Sequence, residues 1–287
     1  METYDVSVII PVYNSAPWLH ECLNSALRQT GVNIQIICVN DGSTDQSAAI
    51  LSEYANIHNN IVVITQPNGG LSAARNSGLE AATGRYTVLL DSDDYWRSDS
   101  LKTLVAYADE NNLELLGFDA IPFPALGVDR ETWQRYRTYY RQRNYYEKPR
   151  TGLQLAVEMQ KHNDYRPAAW KFLFASTLIT RHNLSFLPGV IHEDNAFTFH
   201  LYLVAHKAAQ LPIPFYGRRV RPESIMTSIA AERSVASLAQ VCGEMEQELA
   251  AASLRATDDE MATLRHIIEK VRDYSAKIST QAAMKVP

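Results

Sequence analysis

Short runs of β-branched and apolar residues alternate with longer segments of helical character through the first 120 residues of the chain. Runs that are apolar nearly throughout are typical of strands buried on both faces of a sheet. Strands and helices alternating at this spacing predict an α/β fold, a mainly parallel sheet with helices on both faces. The predicted strands are residues 6–10, 34–39, 61–65, 86–90 and 113–121, and the predicted helices between them are 16–29, 43–55, 71–82 and 98–111.

The overall composition is that of a globular protein with an acidic balance. The 287 residues are 46% hydrophobic and 21% charged, and the formal net charge is -5. Such values are ordinary for soluble domains, and the length predicts one large domain or a domain with an appendage. Because the net charge is negative, we expect no nucleic-acid partner.

The cysteines and the N-terminal residues indicate the cellular compartment in which the protein works. Cys22, Cys38 and Cys242 lie far apart without CxxC spacing, which argues against a disulfide framework or a zinc site and fits a reducing environment. The first residues carry acids and no basic segment, unlike a signal peptide. No apolar run approaches the roughly 18 residues of a membrane span. We expect a cytoplasmic protein, with peripheral contact at the inner face of the cell membrane left open.

Polar residues follow each of the first four predicted strands. Each of these signals alone is often a simple turn or helix cap. However, the carboxyl ends of parallel strands meet at one edge of an open sheet, where ligands bind in such folds. Four polar loops at one edge predict a nucleotide-sized site. These residues are Pro11, Tyr13 and Asn14; Asn40, Asp41, Gly42 and Ser43; Asn68, Gly69, Gly70 and Arg75; and Asp91, Ser92, Asp93 and Asp94.

Residues 91–94 gather three carboxylates directly after a buried strand. If the strand continues, Asp91 and Asp93 leave the same face, and their like charges raise each other's pKa. A bound Mg²⁺ or Mn²⁺ relieves this repulsion, and Mg²⁺ is usually held by one or two carboxylates together with substrate phosphates. The alternative is a turn and helix cap before the next helix. The position after a buried strand favours the metal site.

Other phosphate chemistries fit the sequence less well. Phosphatases with an Asp nucleophile also place a hydrophobic strand before a DxD, usually with Thr or Val where this chain has Tyr95. Their motif normally lies near the N-terminus, whereas this one follows three predicted strands. No GxGxxG follows the first strand and no GxxxxGK[ST] is present, which argues against a dinucleotide fold and a P-loop.

Five motifs occur in the order found in one enzyme family. They read VSVIIPVYNS, VNDGSTD, QPNGGLSAARNSGL, GRYTVLLDSDD and HEDNAF. Over about residues 5–227 the chain resembles family 2 glycosyltransferases of the GT-A fold. The sequences AAWKFLF, LPGVIHEDNAF and FYGRRVRPESIM also resemble the branch that builds bacterial surface polysaccharides. The resemblance implies a GT-A domain over residues 1–227, with a nucleotide-binding half at about 1–121 and an acceptor and base half at about 122–227.

The resemblance also implies roles for individual residues. The DxD holds the ribose and a divalent metal, Mn²⁺ or Mg²⁺, on the diphosphate, with Asp93 the stronger candidate for direct ligand and Asp91 beside it. Asp194 supplies the catalytic base, with Glu193 next to it. The implied nucleotide-sugar-binding residues are Pro11 and Tyr13 beside the base, Asp41 hydrogen-bonded to it, Arg75 facing the nucleotide, and Asn14, Gly70, Asp91, Ser92, Arg219 and Arg221.

The implied reaction is attack of an acceptor hydroxyl on the anomeric carbon of a nucleotide sugar, with a UDP-sugar favoured. The metal and Arg219 or Arg221 stabilise the leaving diphosphate. Asp194 takes the hydroxyl proton from the opposite face, which inverts the anomeric centre. The acceptor would be a glycan or lipid-linked saccharide. Two alternative functions stay open: a catalytically silent nucleotide-sugar-binding protein and, third in rank, an Asp-nucleophile phosphatase. Residues 193–194 could also be an acidic helix start that serves only the helix dipole.

Residues 133–150 are rich in Tyr and Arg. Trp133, Tyr136 and Tyr140 have helical spacing, which suits an amphipathic helix covering the sheet. The same composition suits a surface for anionic lipid headgroups or a subsite for a phosphate-bearing acceptor. The sequence leaves all three open.

Residues 228–287 are predicted to form a tail of two amphipathic helices. Apolar residues recur there at three- and four-residue steps, and Thr257 and Glu260 have capping-box spacing between the two runs. Such a tail packs on the domain or forms a homodimer contact. An exposed apolar stripe would indicate the dimer.

Overall fold

The structure is a computed structural model that describes residues 4–222, 231–252 and 256–283. Its strands are β1 Val6–Val12, β2 Ile34–Asp41, β3 Ile61–Gln66, β4 Tyr86–Leu89, β5 Tyr95–Trp96, β6 Leu115–Pro124, β7 Tyr146–Arg150, β8 Phe172–Ala175 and β9 Ala208–Val220. Its helices are α1 Ala16–Leu27, α2 Ser47–Ile57, α3 Leu71–Ala81, α4 Ser100–Asn111, α5 Arg130–Tyr136, α6 Gly152–Lys161, α7 Thr177–His182, α8 Asp194–Val204, α9 Ala231–Ala252 and α10 Asp258–Ala283. All nine strands join one sheet, in the order β3-β2-β1-β4-β8-β6-β9-β5, with β7 paired to β9.

The first four strands form the predicted parallel half of the sheet. β1 lies between β2 and β4, so that Val6 is opposite both Ile34 and Tyr86, and β3 pairs with the outer side of β2. Every residue of β1 and β2 is buried, as expected for parallel strands covered on both faces. Helix α3 packs closely on β1 at Gly78, where a Cβ atom would lie 2.3 Å from Ile9 Cγ2.

Beyond β4 the sheet becomes mixed. β8 runs antiparallel between β4 and β6, so the predicted fifth strand, β6, is not the neighbour of β4. β9 is parallel to β6, and β5 and β7 are antiparallel to β9. It follows that β1 to β4, β6 and β9 all run in one direction, and that their carboxyl ends lie at one edge.

The Tyr- and Arg-rich residues 133–150 do not form one helix. α5 ends at Tyr136, residues 137–140 are turns, and no residue of α5 is buried. Of the three interpretations, the amphipathic helix that reaches Tyr140 and covers the sheet is therefore wrong, and the lipid surface and the acceptor subsite stay predictions. Asp119 and Asp164 accept hydrogen bonds from the backbone of residues 142–144, which holds that stretch in a non-helical path.

Two amphipathic helices form the tail, as predicted, and they pack on the rest of the chain. α9 contacts α8, α10 contacts α6, and the two helices contact each other. Thr257 and Glu260 form the predicted capping box before α10, with Thr257 N donating to Glu260 Oε2 at 2.8 Å. The apolar stripe of α9, including Leu238 and Val241, is buried. A homodimer contact stays a prediction, and the boundary predicted between residues 227 and 228 lies outside the described residues.

The cysteines and the absence of a long apolar helix agree with what the sequence predicts, within the described residues. Cys22, Cys38 and Cys242 are free and buried, as small apolar residues are. Within the three described ranges, no helix combines the length and apolarity that a bilayer crossing requires.

Candidate active site

One edge of the sheet gathers most of the predicted site residues. The carboxyl ends of β1, β2, β3, β4 and β9 all lie there. Asp194, the first residue of α8, is joined to this edge by a contact with Arg75 of α3. Three groups of predicted site residues are in direct contact: Arg75 with Asp91, Glu193 and Asp194; Asp93 with Arg219 and Arg221; and Asp41 with Gly70.

Arg75 is the centre of this charge arrangement. Its side chain is 1% exposed; Nη1 donates to Glu193 Oε1 and to Asp194 Oδ1, each at 2.8 Å, and Nη2 donates to Asp91 Oδ1 at 3.0 Å. The guanidinium also lies 5.0 Å from the ring centroid of Phe186. Three carboxylates offset the cost of burying the cation. Arg75 thereby fixes the first Asp of the DxD relative to the candidate base.

Glu193 and Asp194 titrate in an environment suited to a general base. Burial, and then the charge of Asp194, raise the pKa of Glu193 to about 7 against the opposing effect of Arg75. Burial also raises the pKa of Asp194, and Arg75 and a hydrogen bond from the backbone of Ala169 oppose that rise. A buried carboxylate whose pKa is raised is a stronger base than an exposed one and can accept a proton from a hydroxyl.

Residues 91–94 form a turn and do not continue β4. β4 ends at Leu89, and Asp94 N donates to Asp91 O at 2.9 Å. The expectation that Asp91 and Asp93 leave one face of a continuing strand is therefore wrong, because this hydrogen bond turns the chain just after β4. The turn still brings both carboxylates to the edge, Asp91 toward Arg75 and Asp93 toward Arg221.

The third carboxylate of the turn has a separate, structural role. Asp94 is 1% exposed. It accepts hydrogen bonds from Tyr216 Oη at 2.9 Å and from Arg219 N at 2.6 Å, and it pairs with Arg218 Nη1 at 3.3 Å. Burial raises the pKa of Asp94, and Arg218 opposes this. Asp94 therefore binds the DxD turn to the end of β9.

The end of β9 brings two arginines to Asp93. Arg221 Nε donates to Asp93 Oδ2 at 2.6 Å, and Arg219 Nε donates to the backbone oxygen of Asp93 at 2.7 Å. Arg219 also pairs with Glu21, and Arg221 lies over the ring of Trp18. Two cations beside the second Asp of the DxD are suitably placed to meet a diphosphate.

The donor set at the DxD fits a divalent metal that is shared with a phosphate ligand. Within the described residues no cluster of three or more His, Cys, Asp and Glu side chains could enclose a metal ion. Asp93 Oδ2 accepts from Arg221 Nε, and no residue of the described ranges donates a hydrogen bond to Asp93 Oδ1. One or two carboxylates completed by phosphate oxygens and water is the usual protein site for Mg²⁺. Asp93, with Asp91 adjacent, would hold such an ion.

Asp41 organises the loop between β3 and α3. Its Oδ1 accepts from Gln66 Nε2 at 2.8 Å and from Gly69 N at 2.9 Å, and its Oδ2 accepts from Gly70 N at 2.8 Å. Gly70 has φ 86, a left-handed conformation that glycine adopts readily. The implied contact between Asp41 and a nucleotide base stays a prediction. In the structure the Asp41 carboxylate already accepts hydrogen bonds from this loop.

The remaining predicted residues lie around the loops after β1 and β4. Pro11 is buried within β1, whereas Tyr13 is 52% exposed and free to meet a ligand. Asn14 Oδ1 accepts from the backbone of Thr44 at 2.8 Å, which joins the loops that follow β1 and β2. Ser92 Oγ lies 2.6 Å from Ser15 Oγ. Asn14 and Ser92 thus stabilise the edge, and Tyr13 presents an open ring there.

Tyr216 and Trp170 belong to the site and were missed by the sequence reasoning. Tyr216 Oη accepts from Asp91 N at 3.1 Å and donates to Asp94, so one hydroxyl bridges both ends of the DxD turn. Trp170 stacks on Tyr216 with ring centroids 4.5 Å apart. Both lie in motifs on which the resemblance rests, AAWKFLF and FYGRRVRPESIM. The neighbouring sequence, however, gave no signal for the role of either residue.

Most of the sheet and of this edge lies in a stretch that matches a known sequence family. The sequence model described as glycosyl transferase family 2 matches residues 7–166. The chain belongs to glycosyl transferase family 2. The family predicted from the five motifs is thereby confirmed.

Two similar proteins are bacterial and longer than this chain. EpsJ of Bacillus subtilis (strain 168), an uncharacterised glycosyltransferase, is 34% identical over 223 residues, 77% of this chain and 62% of EpsJ. This chain thus spans about three fifths of that relative. The minor teichoic acid biosynthesis protein GgaB of the same organism is 41% identical over 132 residues, 45% of this chain and 14% of GgaB.

A solved structure matches the fold of nearly the whole chain. The crystal structure of S. aureus TarS residues 1–349 in complex with UDP-GlcNAc superimposes with a TM-score of 0.74 at 24% identity, covering 99% of this chain and 76% of that one. At this identity the likeness shows the fold. The predicted GT-A fold with a helical C-terminal region is therefore confirmed.

Proposed function

We propose that the protein is an inverting, metal-dependent glycosyltransferase. It moves a hexose or N-acetylhexosamine from a UDP-sugar to a hydroxyl of a glycan or lipid-linked saccharide. The observation that carries this proposal is the contact of one buried arginine with both functional groups: Arg75 holds Asp91 of the DxD and Asp194, the candidate base, at the same edge. Arg75 is thus a positioning residue, in addition to any contact with the nucleotide.

The donor would bind along the edge between Tyr13 and Arg221. Tyr13, Pro11 and Asp41 would contact the nucleoside, while Asp91 and Asp93 would hold the ribose and a Mn²⁺ or Mg²⁺ ion. Such an ion would neutralise charge on the leaving diphosphate. Support comes from Asp93 Oδ1, to which no described residue donates a hydrogen bond, from the family, and from a fold neighbour crystallised with UDP-GlcNAc.

The chain's own residues would carry out the proton transfer and stabilise the leaving group. Asp194 would accept the proton of the acceptor hydroxyl as its oxygen bonds to the anomeric carbon. The bond from that carbon to the phosphate oxygen breaks, and the electron pair leaves with the nucleoside diphosphate. Arg219 and Arg221, already beside Asp93, would stabilise this charge as it develops. Attack opposite the leaving group inverts the anomeric centre.

We place this activity in bacterial surface-polysaccharide synthesis. The support is the combination of motifs in the second half of the chain and the name of the relative GgaB, a teichoic acid biosynthesis protein. The enzyme would then work in the cytoplasm, meeting a lipid-linked acceptor at the inner face of the membrane.

A panel of nucleotide sugars tests the proposal. The protein is incubated with UDP-, GDP- and dTDP-sugars in Mn²⁺, in Mg²⁺ and in EDTA, and release of the nucleoside diphosphate is measured. We expect slow hydrolysis of a UDP-sugar that requires the metal. Binding of UDP with no hydrolysis of any sugar nucleotide would favour the silent binding protein. Hydrolysis of p-nitrophenyl phosphate instead would favour the phosphatase.

A further inference from the structure

We propose that the C-terminal helices α9 and α10 position the catalytic base. Ser234 and Ser237 of α9 and Tyr274 of α10 contact the loop that leads into Asp194. The inference rests on the proposed function, because it concerns the base named there. It assigns the helical tail a role beyond covering the apolar faces of α6 and α8.

The loop before α8 has an unusual backbone. His192 has φ 67, in the left-handed region that residues other than glycine rarely adopt. Such a conformation is unfavourable and persists only where the surroundings fix it. His192 immediately precedes Glu193 and Asp194, so its backbone angles set the direction in which both carboxylates leave the chain.

Three side chains of the tail hold this loop. Ser234 Oγ lies 2.7 Å from His192 Nε2, and Ile191 N donates to Ser237 Oγ at 3.2 Å. The ring of Tyr274 meets the His192 ring edge-on, with centroids 5.9 Å apart and an interplanar angle of 89°. The tail therefore holds the loop through the side chain of His192 and through the backbone N–H of Ile191.

The chemistry of the contact indicates positioning and not packing alone. Ser234 and Ser237 are both buried, and a buried hydroxyl is unfavourable unless it is hydrogen-bonded. They stand three residues apart and so share one face of α9. Apolar residues such as Leu238 and Val241 already bury the helix against the core. The two hydroxyls are directed at the loop of the base.

The tail and Arg75 hold the base from two directions. Arg75 contacts the carboxylates of Glu193 and Asp194, whereas α9 holds the backbone just before them. Loss of the serine hydroxyls would let His192 relax toward ordinary angles and turn the carboxylates away from Arg75. Arg75 would keep its separate Nη2 contact with Asp91, and Asp93 and Arg221 lie outside the serine contacts. Donor binding would therefore stay intact while turnover falls.

The test compares the full-length Ser234→Ala/Ser237→Ala variant with Ser234→Thr, which keeps the hydroxyl, and with Ser279→Ala, an exposed serine of α10. Turnover uses the UDP-sugar hydrolysed fastest by the wild type, UDP affinity is measured by calorimetry in Mn²⁺, and hydrogen exchange is followed over residues 186–198. We expect kcat of the double variant to fall about tenfold or more, equivalent to about 1.4 kcal/mol, with faster exchange in that peptide and an unchanged Kd for UDP. Ser234→Thr should recover most of the rate, and Ser279→Ala should match the wild type.

Unchanged kcat in the folded double variant, or a loss of UDP affinity parallel to the loss of kcat, would overturn the inference. If the double variant does not fold, Ser237→Ala alone is compared with Ser279→Ala in the same assays, and equal kcat and exchange in these two would overturn it. A wild type that neither binds UDP nor hydrolyses a UDP-sugar would refute the proposed function instead. In that case the exchange experiment alone decides whether the hydroxyls hold the loop, and unchanged exchange would count against it.

Discussion

Arg75 Nη1 lies 2.8 Å from Asp194 Oδ1 in a part of the protein where the arginine is almost fully buried. The resemblance implied that Arg75 faces the nucleotide, yet its Nη atoms are directed at carboxylates. One buried cation therefore balances the DxD and the candidate base together. This relationship makes stability and activity depend on the same residue.

Replacing Arg75 by Met should strongly destabilise the protein. The change leaves Asp91, Glu193 and Asp194 without their common cation, and breaking a buried pair in this way costs about 3–5 kcal/mol. The measurement is urea unfolding, and transfer activity should be lost as well. Arg85→Met is the matched control: Arg85 is 49% exposed and pairs with Asp5 and Asp109, so we expect a loss of only about 0.2–1 kcal/mol. Equal losses for the two variants would contradict this account of Arg75.

Glu193 should make stability depend on pH in a defined direction. Its pKa is raised from 4.5 to about 7 in the folded protein, so between these values the native state binds more protons than the unfolded state. Stability from this group is therefore present at low pH and is lost as pH rises through about 7. Relative to Glu193→Gln, the wild type should lose about 2–3 kcal/mol of unfolding free energy between about pH 4.5 and 8. Parallel stability curves for the two proteins would contradict the raised pKa.

The same substitution should shift the pH dependence of turnover. With a neutral Gln at position 193, Asp194 loses a neighbouring negative charge and keeps its own charge to lower pH. The acidic limb of kcat should therefore move to lower pH, a limb that in the wild type belongs to the coupled pair. If Glu193→Gln instead abolishes transfer at every pH, Glu193 is the base and Asp194 is its neighbour.

Asp194→Asn should separate catalysis from binding. The amide oxygen can still accept from Arg75 but cannot take the hydroxyl proton, and general bases contribute about 10²–10⁴-fold to rate. We expect transfer to fall within that range or below detection, while UDP binding measured by calorimetry in Mn²⁺ stays close to the wild-type value. Transfer that survives the change would place the base elsewhere.

Two glycine substitutions test how the sheet edge is built. Gly78→Ala would bring a Cβ to 2.3 Å from Ile9 Cγ2 and force α3, the helix that carries Arg75, away from β1. Overpacking of this kind costs about 1–3 kcal/mol. Gly243 lies in α9 with nothing within 4 Å of its added Cβ, so Gly243→Ala should stabilise by up to about 1 kcal/mol. Thermal unfolding measures both, and equal shifts would contradict the close packing of α3.

The sequence was sufficient for the parallel half of the fold because its signals are local. Strands β1 to β4 begin at the predicted residues and end within two residues of the predicted ends. The capping box of Thr257 and Glu260 was predicted for the same reason. β8 could not be placed, because its pairing with β4 joins residues far apart in the chain. The same holds for β9, whose carboxyl end supplies Arg219 and Arg221.

Sequence reasoning named most of the residues at this edge, but it missed Tyr216 and Trp170 and did not predict the partner of each carboxylate. Asp91, Asp93 and Asp94 have the same local signal, yet Arg75, Arg221 and Tyr216 respectively give each a different partner. None of these partners lies within the local motif, and Arg221 and Tyr216 are more than 100 residues away from the aspartates they contact. The left-handed backbone of His192 likewise could not be predicted from the surrounding motif, because the residues that contact it belong to the tail helices.

The most direct measurement of the central claim is the affinity for UDP with and without metal. If the sheet edge holds a diphosphate through a metal on Asp93, calorimetry should give at least about tenfold tighter UDP binding in Mn²⁺ than in EDTA, equivalent to about 1.4 kcal/mol. Asp93→Asn should remove that difference while the protein stays folded. UDP affinity that is the same in Mn²⁺ and EDTA, or a metal effect that persists in Asp93→Asn, would contradict the account.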